Sequence, residues 1–163
     1  MIAQIWIGNL DNSNVRFFKT EDGKWTWILY DTDQSFYTLN YNSVKDHLNQ
    51  NAIGEDDSTS KTLAVCLLKN PEFRDQFLTR MAWQINHIWT EENINARIDE
   101  IKALIETDLV KDCQRWGKSY TYWEQSVQTL RNFAAKRNSY LLPYIQDYFG
   151  LTQAQMAQYG FPV

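Results

Sequence analysis

The stretch GNLDNSNVRFFKTEDGKWTWILYDTDQSF, residues 8–36, decides which fold the sequence predicts. It contains two runs rich in Val, Phe, Trp, Ile and Tyr, residues 14–19 and 25–31, with TEDGK between them. An Asp-Gly pair between two such runs is a strong signal for a β-hairpin. Farther along the chain, apolar residues recur at helical spacing from Ser60 onward. The sequence therefore predicts one hairpin followed by a helical bundle, an α+β fold that is mostly α.

Acidic and amide side chains stand at both ends of this hairpin. Asp11 and Asn14 precede or begin the first strand, and Asp31 and Asp33 follow the second. Because a tight turn brings the outer ends of two strands together, three carboxylates and one amide oxygen are expected at one edge. Such a group repels itself unless a cation is present, and hard oxygen ligands suit Mg²⁺ or Mn²⁺. For any one of these residues alone, an ordinary turn or solvent-exposed role is the simpler interpretation.

The order of these residues is similar to the layout of protein kinases. There a catalytic Asp is followed closely by an Asn, then by a hairpin and by a metal-binding Asp. The catalytic Asp accepts the proton of the acceptor hydroxyl. The Asn and the later Asp hold the Mg²⁺ that bridges the phosphates of ATP.

Short motifs spread over nearly the whole chain extend this similarity. They are Ile7-Gly8-Asn9, Asp11, Asn14-Val15-Arg16-Phe17, Gly23-Lys24-Trp25, residues 27–33 (WILYDTD), residues 67–74 (LLKNPEFR), Ile98-Asp99-Glu100, Arg115-Trp116-Gly117, Trp123, Leu130-Arg131 and Phe133-Ala134. Together they resemble the CotH family, the atypical spore-coat protein kinases. The resemblance implies a single domain over residues 1–163 that corresponds to the C-terminal lobe of a kinase-like fold. It also implies that residues 1–7 end a helix, although their β-branched residues alone favour a strand.

The resemblance implies roles for individual residues. Asp11 matches the catalytic Asp, Asn14 and Asp31 match the cofactor-binding metal ligands, and Asp33 is a second candidate metal ligand. ATP with Mg²⁺ (or Mn²⁺) is the expected cofactor pair of the complete domain, and a protein hydroxyl is the expected acceptor. The sequence departs from the kinase pattern in one place, because two residues separate Asp11 from Asn14 where protein kinases have four. The loop that carries Asn14 is therefore shorter than in protein kinases.

Two parts of a kinase site are expected to be missing from this chain. A Gly-rich loop and a phosphate-binding Lys precede the catalytic loop in kinases, whereas only ten residues precede Asp11 and the six glycines are scattered. We therefore expect an absent upstream lobe and no phosphoryl transfer by the isolated chain. The alternative is a non-catalytic helical module that binds a protein partner in bacterial surface or spore-coat assembly. Its predicted apolar contact surface is Ile2, Ile5, Trp6 and Ile7.

Composition argues against other classes of function. The net charge is −4 and no run of Lys and Arg is present, so nucleic-acid binding is not expected. No apolar segment approaches the roughly 18 residues of a membrane span, and no signal peptide is visible. Cys66 and Cys113 are predicted to be buried free thiols, and the spacing of His47 and His87 argues against a zinc site.

Capping residues predict where the helices begin. A short helix is predicted from Ser43 to Leu48 within an otherwise irregular segment, residues 34–60. Further helices are predicted to start near Asn70-Pro71-Glu72, Thr90, Thr121 and Ser139, and a short last helix near Thr152.

The apolar stripes predict how the parts pack. We expect Trp25, Trp27 and Leu29, which share one strand face, to dock on the helical stripe from Phe73 to Ile88. Residues 1–7 should be frayed, or buried in a homodimer that forms through this N-terminal end.

Overall fold

The computed structural model of the chain describes residues 1–11, 16–49 and 59–162. Within these residues it is mostly helical with one antiparallel hairpin, which confirms the predicted fold class. The elements are α1 (Ile2–Ile7), β1 (Arg16–Phe18), β2 (Thr26–Ile28), α2 (Ser43–His47), α3 (Thr59–Leu68), α4 (Pro71–His87), α5 (Glu91–Trp116), α6 (Tyr120–Phe149) and α7 (Gln153–Tyr159). None of the helices in these ranges combines the length and apolar character needed to cross a bilayer.

The first helix, α1, lies in the centre of the core. Ile5 and Trp6 are completely buried, so the expectation that residues 1–7 are frayed is wrong. The Trp6 ring stacks on Trp89 at 5.2 Å and meets Phe36 and Phe133 edge-on. Met1 and Ile2 are only partly buried and line an open apolar groove. The homodimer through this end stays a prediction.

The hairpin is shorter and more exposed than the sequence predicts. Its three-residue strands pair Arg16 with Ile28 and Phe18 with Thr26. Trp27 alone reaches the predicted stripe, where it lines an apolar groove of about 370 Å³ with residues of α1, α3 and α4. Trp25 and Leu29 are 62% and 57% exposed, so their predicted docking is wrong.

Most predicted helix starts are confirmed. Asn70 and Thr90 cap α4 and α5, and Thr152 caps α7 with the full capping box. The cap of α6 is Ser119, so the predicted start at Thr121 lies within the first turn of that helix. The predicted start at Ser139 is wrong because α6 continues through it.

The side chain of Ser139 explains why no helix starts at this residue. Its hydroxyl donates to the carbonyl of Lys136, three residues earlier in the same helix. A serine that bonds back in this way is compatible with a helix interior. The buried side chains of Arg137, Leu141 and Ile145 hold α6 to the core across this position. Both cysteines are free, as predicted. Cys113 is buried, whereas Cys66 is exposed, so the predicted burial of Cys66 is wrong.

Candidate active site

The loop that carries Asp11 begins where α1 ends. Gly8 adopts a φ of 62°, the left-handed conformation that ends many helices and that glycine takes without strain. The N–H groups of Gly8 and Asn9 then donate to the carbonyls of Ile5 and Gln4, which closes the end of the helix. The chain turns here, and Asp11 follows half-buried three residues later. The buried core around α1 therefore fixes the start of the loop.

The side chain of Asn9 organises this loop from within. It is completely buried. Its Oδ1 accepts the N–H of Asp11 at 3.1 Å, and its Nδ2 donates to the carbonyl of Asp11 at 2.9 Å. Nδ2 also donates to Oε1 of Gln4 at 2.7 Å. One amide therefore binds both backbone groups of Asp11 and ties them back to α1.

Two backbone hydrogen bonds join the Asp11 loop to the segment that follows the hairpin. The N–H of Leu10 donates to the carbonyl of Gln34 at 2.9 Å, and the N–H of Phe36 donates to the carbonyl of Ile7 at 3.0 Å. Asp11 directly follows Leu10, the donor of the first of these bonds. The structure therefore lays the segment after Asp31 along the loop that carries Asp11.

This segment contains two residues in an uncommon backbone conformation. Asp31 has a φ of 51° and Phe36 a φ of 66°. Residues other than glycine adopt positive φ infrequently, and such conformations cluster at functional sites. The Phe36 ring is held in the core by Trp6 and by Phe133, with ring centroids 6.3 and 5.1 Å away. Asp31, in contrast, lies exposed directly after the hairpin.

Of the three predicted metal ligands, the structure describes Asp31 and Asp33. Asn14 lies outside the described residues. Asp31 and Asp33 are exposed, and the described part of the chain contains no group of three or more His, Cys, Asp and Glu side chains placed to share a metal ion. Mg²⁺ is usually held by one or two carboxylates together with substrate phosphates. The roles of Asn14, Asp31 and Asp33 as metal ligands therefore remain predictions.

His47 supports the loop from α2. Its Nε2 lies 3.1 Å from the carbonyl oxygen of Asn9, and the side chain is almost completely buried. This burial lowers the pKa of His47 to about 4, so the ring is neutral near pH 7. A neutral imidazole carries one N–H, and the carbonyl partner requires that Nε2 carry it. Sequence analysis missed this role, because Asn9 lies 38 residues before His47 and only the folded chain brings them together.

The titration of His47 leads to a prediction for stability. In the unfolded chain its pKa returns to about 6.5, above the folded value of about 4. The unfolded state therefore binds more protons between these values, and the free energy of unfolding should fall by about 3 kcal/mol as pH drops from 6.5 to 4. Urea titrations at several pH values measure this dependence.

Two variants isolate the contribution of His47. In His47→Gln, the free energy of unfolding should depend less on pH than in wild type. This holds whether or not the variant is less stable than wild type. His87→Gln removes the exposed histidine of α4 and should keep the wild-type slope. Equal slopes in wild type and His47→Gln would contradict the assignment.

Arg137 of α6 binds the end of α1 and the start of α2. Its guanidinium is completely buried and lies beneath the loop, 3.6 Å from the point where a Cβ on Gly8 would stand. It donates to the carbonyls of Ile5, Trp6, Leu39 and Tyr41 and to the hydroxyl of Ser43. Burial lowers the pKa of Arg137 to about 10, so it remains a cation at neutral pH. The end of α1, the start of α2 and the segment before α2 are thereby joined at one group.

Comparisons with known proteins give one result. Residues 1–141 match the family model described as CotH kinase protein. The matched range contains the Asp11 loop, the hairpin, α1 to α5 and most of α6. Neither the search of curated proteins nor the search of solved structures gave a match.

Proposed function

The chain belongs to the CotH kinase protein family, and we propose that it forms the catalytic-loop and metal-binding part of an ATP-dependent protein kinase. In this proposal Asp11 accepts the proton of the acceptor hydroxyl. Asn14 and Asp31 hold the Mg²⁺ or Mn²⁺ that bridges the ATP phosphates, with Asp33 as a second candidate ligand. The metal would neutralise charge that develops on the transferred phosphoryl group.

One observation supports this proposal above the others. The Asp11 loop and the segment after Asp31 are joined by the hydrogen bond from Leu10 to Gln34, and Asp31 itself has a positive φ. A base and a metal ligand must sit in a fixed relation to each other, because phosphoryl transfer depends on positioning and on electrostatic stabilisation. Backbone pairing between Leu10 and Gln34 supports the proposal, because it joins the two segments that carry Asp11 and Asp31. The positive φ of Asp31 is one that Asp adopts more readily than most residues, and it sets the direction in which the chain leaves the hairpin.

The chemistry required of Asp11 is compatible with its surroundings. It is half-buried, and its backbone is held by Asn9. A positioned carboxylate needs hydrogen-bond reach to the hydroxyl more than it needs strong basicity. Its main contribution would be orientation of the attacking oxygen.

Binding of a metal–nucleotide complex tests the proposal. Calorimetric titration of the chain with Mn²⁺–ADP should show binding, and Asp31→Asn should weaken it at least tenfold because a ligand is lost. Asp22→Asn, in the exposed turn of the same hairpin, is the matched control and should bind as wild type does. Asp11→Asn should also retain binding, since the proposed base holds no metal. If Asp31→Asn and wild type bind Mn²⁺–ADP equally well, Asp31 is not a ligand.

A second candidate function is supported by the exposed hairpin. Six large apolar side chains there are 45–62% exposed: Phe17, Phe18, Trp25, Ile28, Leu29 and Tyr30. Phe17 and Phe18 are consecutive in β1, so they lie on opposite faces of the hairpin. Exposed apolar surface often marks a site of protein interaction. It replaces the predicted contact surface on α1, where Ile5, Trp6 and Ile7 are buried. This supports the alternative of an interaction module in surface or spore-coat assembly.

The same titration separates the two candidates. A folded chain that shows no Mn²⁺–ADP binding would favour the interaction module. Replacing Trp25 and Leu29 together with Ser should leave Mn²⁺–ADP binding unchanged if the kinase proposal is correct, because neither residue is assigned to the metal site.

A further inference from the structure

We propose that Asn9 is a positioning residue for Asp11 and that His47 holds Asn9 in the required orientation. The inference rests on the proposed function in one respect, since it takes Asp11 as the catalytic base. The hydrogen bonds that support it do not depend on that function.

The first part of the argument is the pair of bonds from Asn9 to Asp11. An Asn side chain offers two N–H donors and an oxygen with two lone pairs. Asn9 uses both donors and its oxygen, for the N–H and carbonyl of Asp11 and for the side chain of Gln4. Because Asn9 is completely buried, rotation of the Asp11 backbone would leave buried polar groups without partners. The amide therefore restricts the direction from which the Asp11 side chain leaves the backbone.

The second part concerns the peptide group between Asn9 and Leu10. Its carbonyl accepts the hydrogen bond from Nε2 of His47 at 3.1 Å. Its N–H donates to the carbonyl of Gln34 at 2.9 Å. A planar peptide group bound at both ends has no free rotation. His47 thus fixes the orientation of the peptide unit that links Asn9 to the residue before Asp11.

The third part concerns what holds His47. It ends α2, and Ser43 at the other end of that helix donates its hydroxyl hydrogen to the carbonyl of Ile5. Arg137 in turn donates to the Ser43 hydroxyl oxygen. The support for Asp11 therefore runs through a buried helix and does not depend on solvent-exposed side chains. A reacting group must be held to within a fraction of an ångström, and such buried hydrogen bonds are the usual means.

The test is amide hydrogen exchange of the full chain, measured by NMR without nucleotide. In Asn9→Ala, exchange of the Asp11 amide should accelerate at least tenfold relative to the Trp6 amide, which reports the core. His47→Ala should accelerate it as well, and His47→Gln should restore part of the protection because Gln also offers an N–H donor. Val44→Ala is the matched control: it removes a buried side chain of α2 without touching Asn9. It should change the Asp11 and Trp6 amides in parallel.

A further variant keeps the test decisive if Asn9→Ala does not fold. Asn9→Asp retains the acceptor for the Asp11 amide and loses both donors, so Asp11 should stay more protected than in any folded Ala or Ser variant at residue 9. Parallel changes of Asp11 and Trp6 in the variants at residue 9 would overturn the role of Asn9. Equal behaviour of His47→Gln and His47→Ala would overturn the role of His47. Failure of Mn²⁺–ADP binding would instead count against the proposed function, because the exchange experiment contains no nucleotide.

Discussion

Replacing Arg137 by Ala should lower the free energy of unfolding by about 5 kcal/mol or more, enough to unfold a domain of ordinary stability. The Arg137 guanidinium makes five buried or part-buried hydrogen bonds, with donor–acceptor distances between 2.6 and 3.1 Å. Hydrogen bonds to a charged group contribute about 1.5–3 kcal/mol each, and partners left unsatisfied in the interior add a further cost. The individual contributions are not independent, so their sum is an upper bound.

The large effect follows from what Arg137 binds. Among the described residues its hydrogen-bond partners are four carbonyls and one hydroxyl, and it forms no ion pair with a carboxylate. Two of the carbonyls belong to the last turn of α1, whose final carbonyl groups have no partner within the helix. The cation also interacts favourably with the partial negative charge at that end. Its removal would leave the carbonyls of Trp6 and Leu39 without the donors that Arg137 supplies. The carbonyls of Ile5 and Tyr41 would keep their bonds from Ser43.

Urea titration followed by tryptophan fluorescence measures the change. Arg137→Lys should fall between wild type and Arg137→Ala, because Lys keeps the charge but lacks the planar set of donors. Arg131→Ala is the matched control on the same helix. Arg131 is partly exposed and pairs with Asp99 at the surface, so its loss should cost less than about 1 kcal/mol. A change below about 1 kcal/mol for Arg137→Ala would show that the region is held by other contacts.

The second large effect is expected for Trp6→Ala, which should cost about 3–5 kcal/mol. The Trp6 side chain is completely buried between three aromatic rings, and its Nε1 donates to Oδ1 of Asn138 at 2.9 Å. Removing it creates a cavity and leaves that acceptor without its donor. Trp116→Ala makes the same change at a side chain that is 63% exposed, and should alter stability by less than about 0.5 kcal/mol.

The Trp6 variant also decides how the N-terminal segment is stabilised. Equal effects of Trp6→Ala and Trp116→Ala would mean that α1 is not part of the folded core. Sedimentation of wild type over a range of concentrations tests the predicted homodimer separately. If wild type sediments as a monomer at every concentration, α1 is covered by the chain itself. Its free energy of unfolding should then not depend on protein concentration.

The sequence predicted those features whose causes lie within a few residues. The Asp-Gly turn places the hairpin, and Asn70, Thr90 and Thr152 locate helix ends because a cap bonds to groups two or three residues away. The order of Asp11 and Asp31 is likewise readable, and the family resemblance drawn from it is confirmed over residues 1–141. Ser139 is the instructive error: a residue typical of caps lies inside α6, because buried contacts on both sides of it outweigh its local preference.

Two features depend on tertiary contacts. One is the conformation of residues 1–7, whose residue pattern fits a helix or a strand. The other is the set of hydrogen bonds that supports Asp11. The short, mostly apolar run of residues 1–7 fits either period, and the choice depends on the rings of Phe36, Trp89 and Phe133 that surround Trp6. The bond from Arg137 to the carbonyl of Trp6 joins groups 131 residues apart, and the bond from His47 to Asn9 spans 38. No local pattern predicts such pairs, because they exist only once the chain has folded and buried polar groups must find partners.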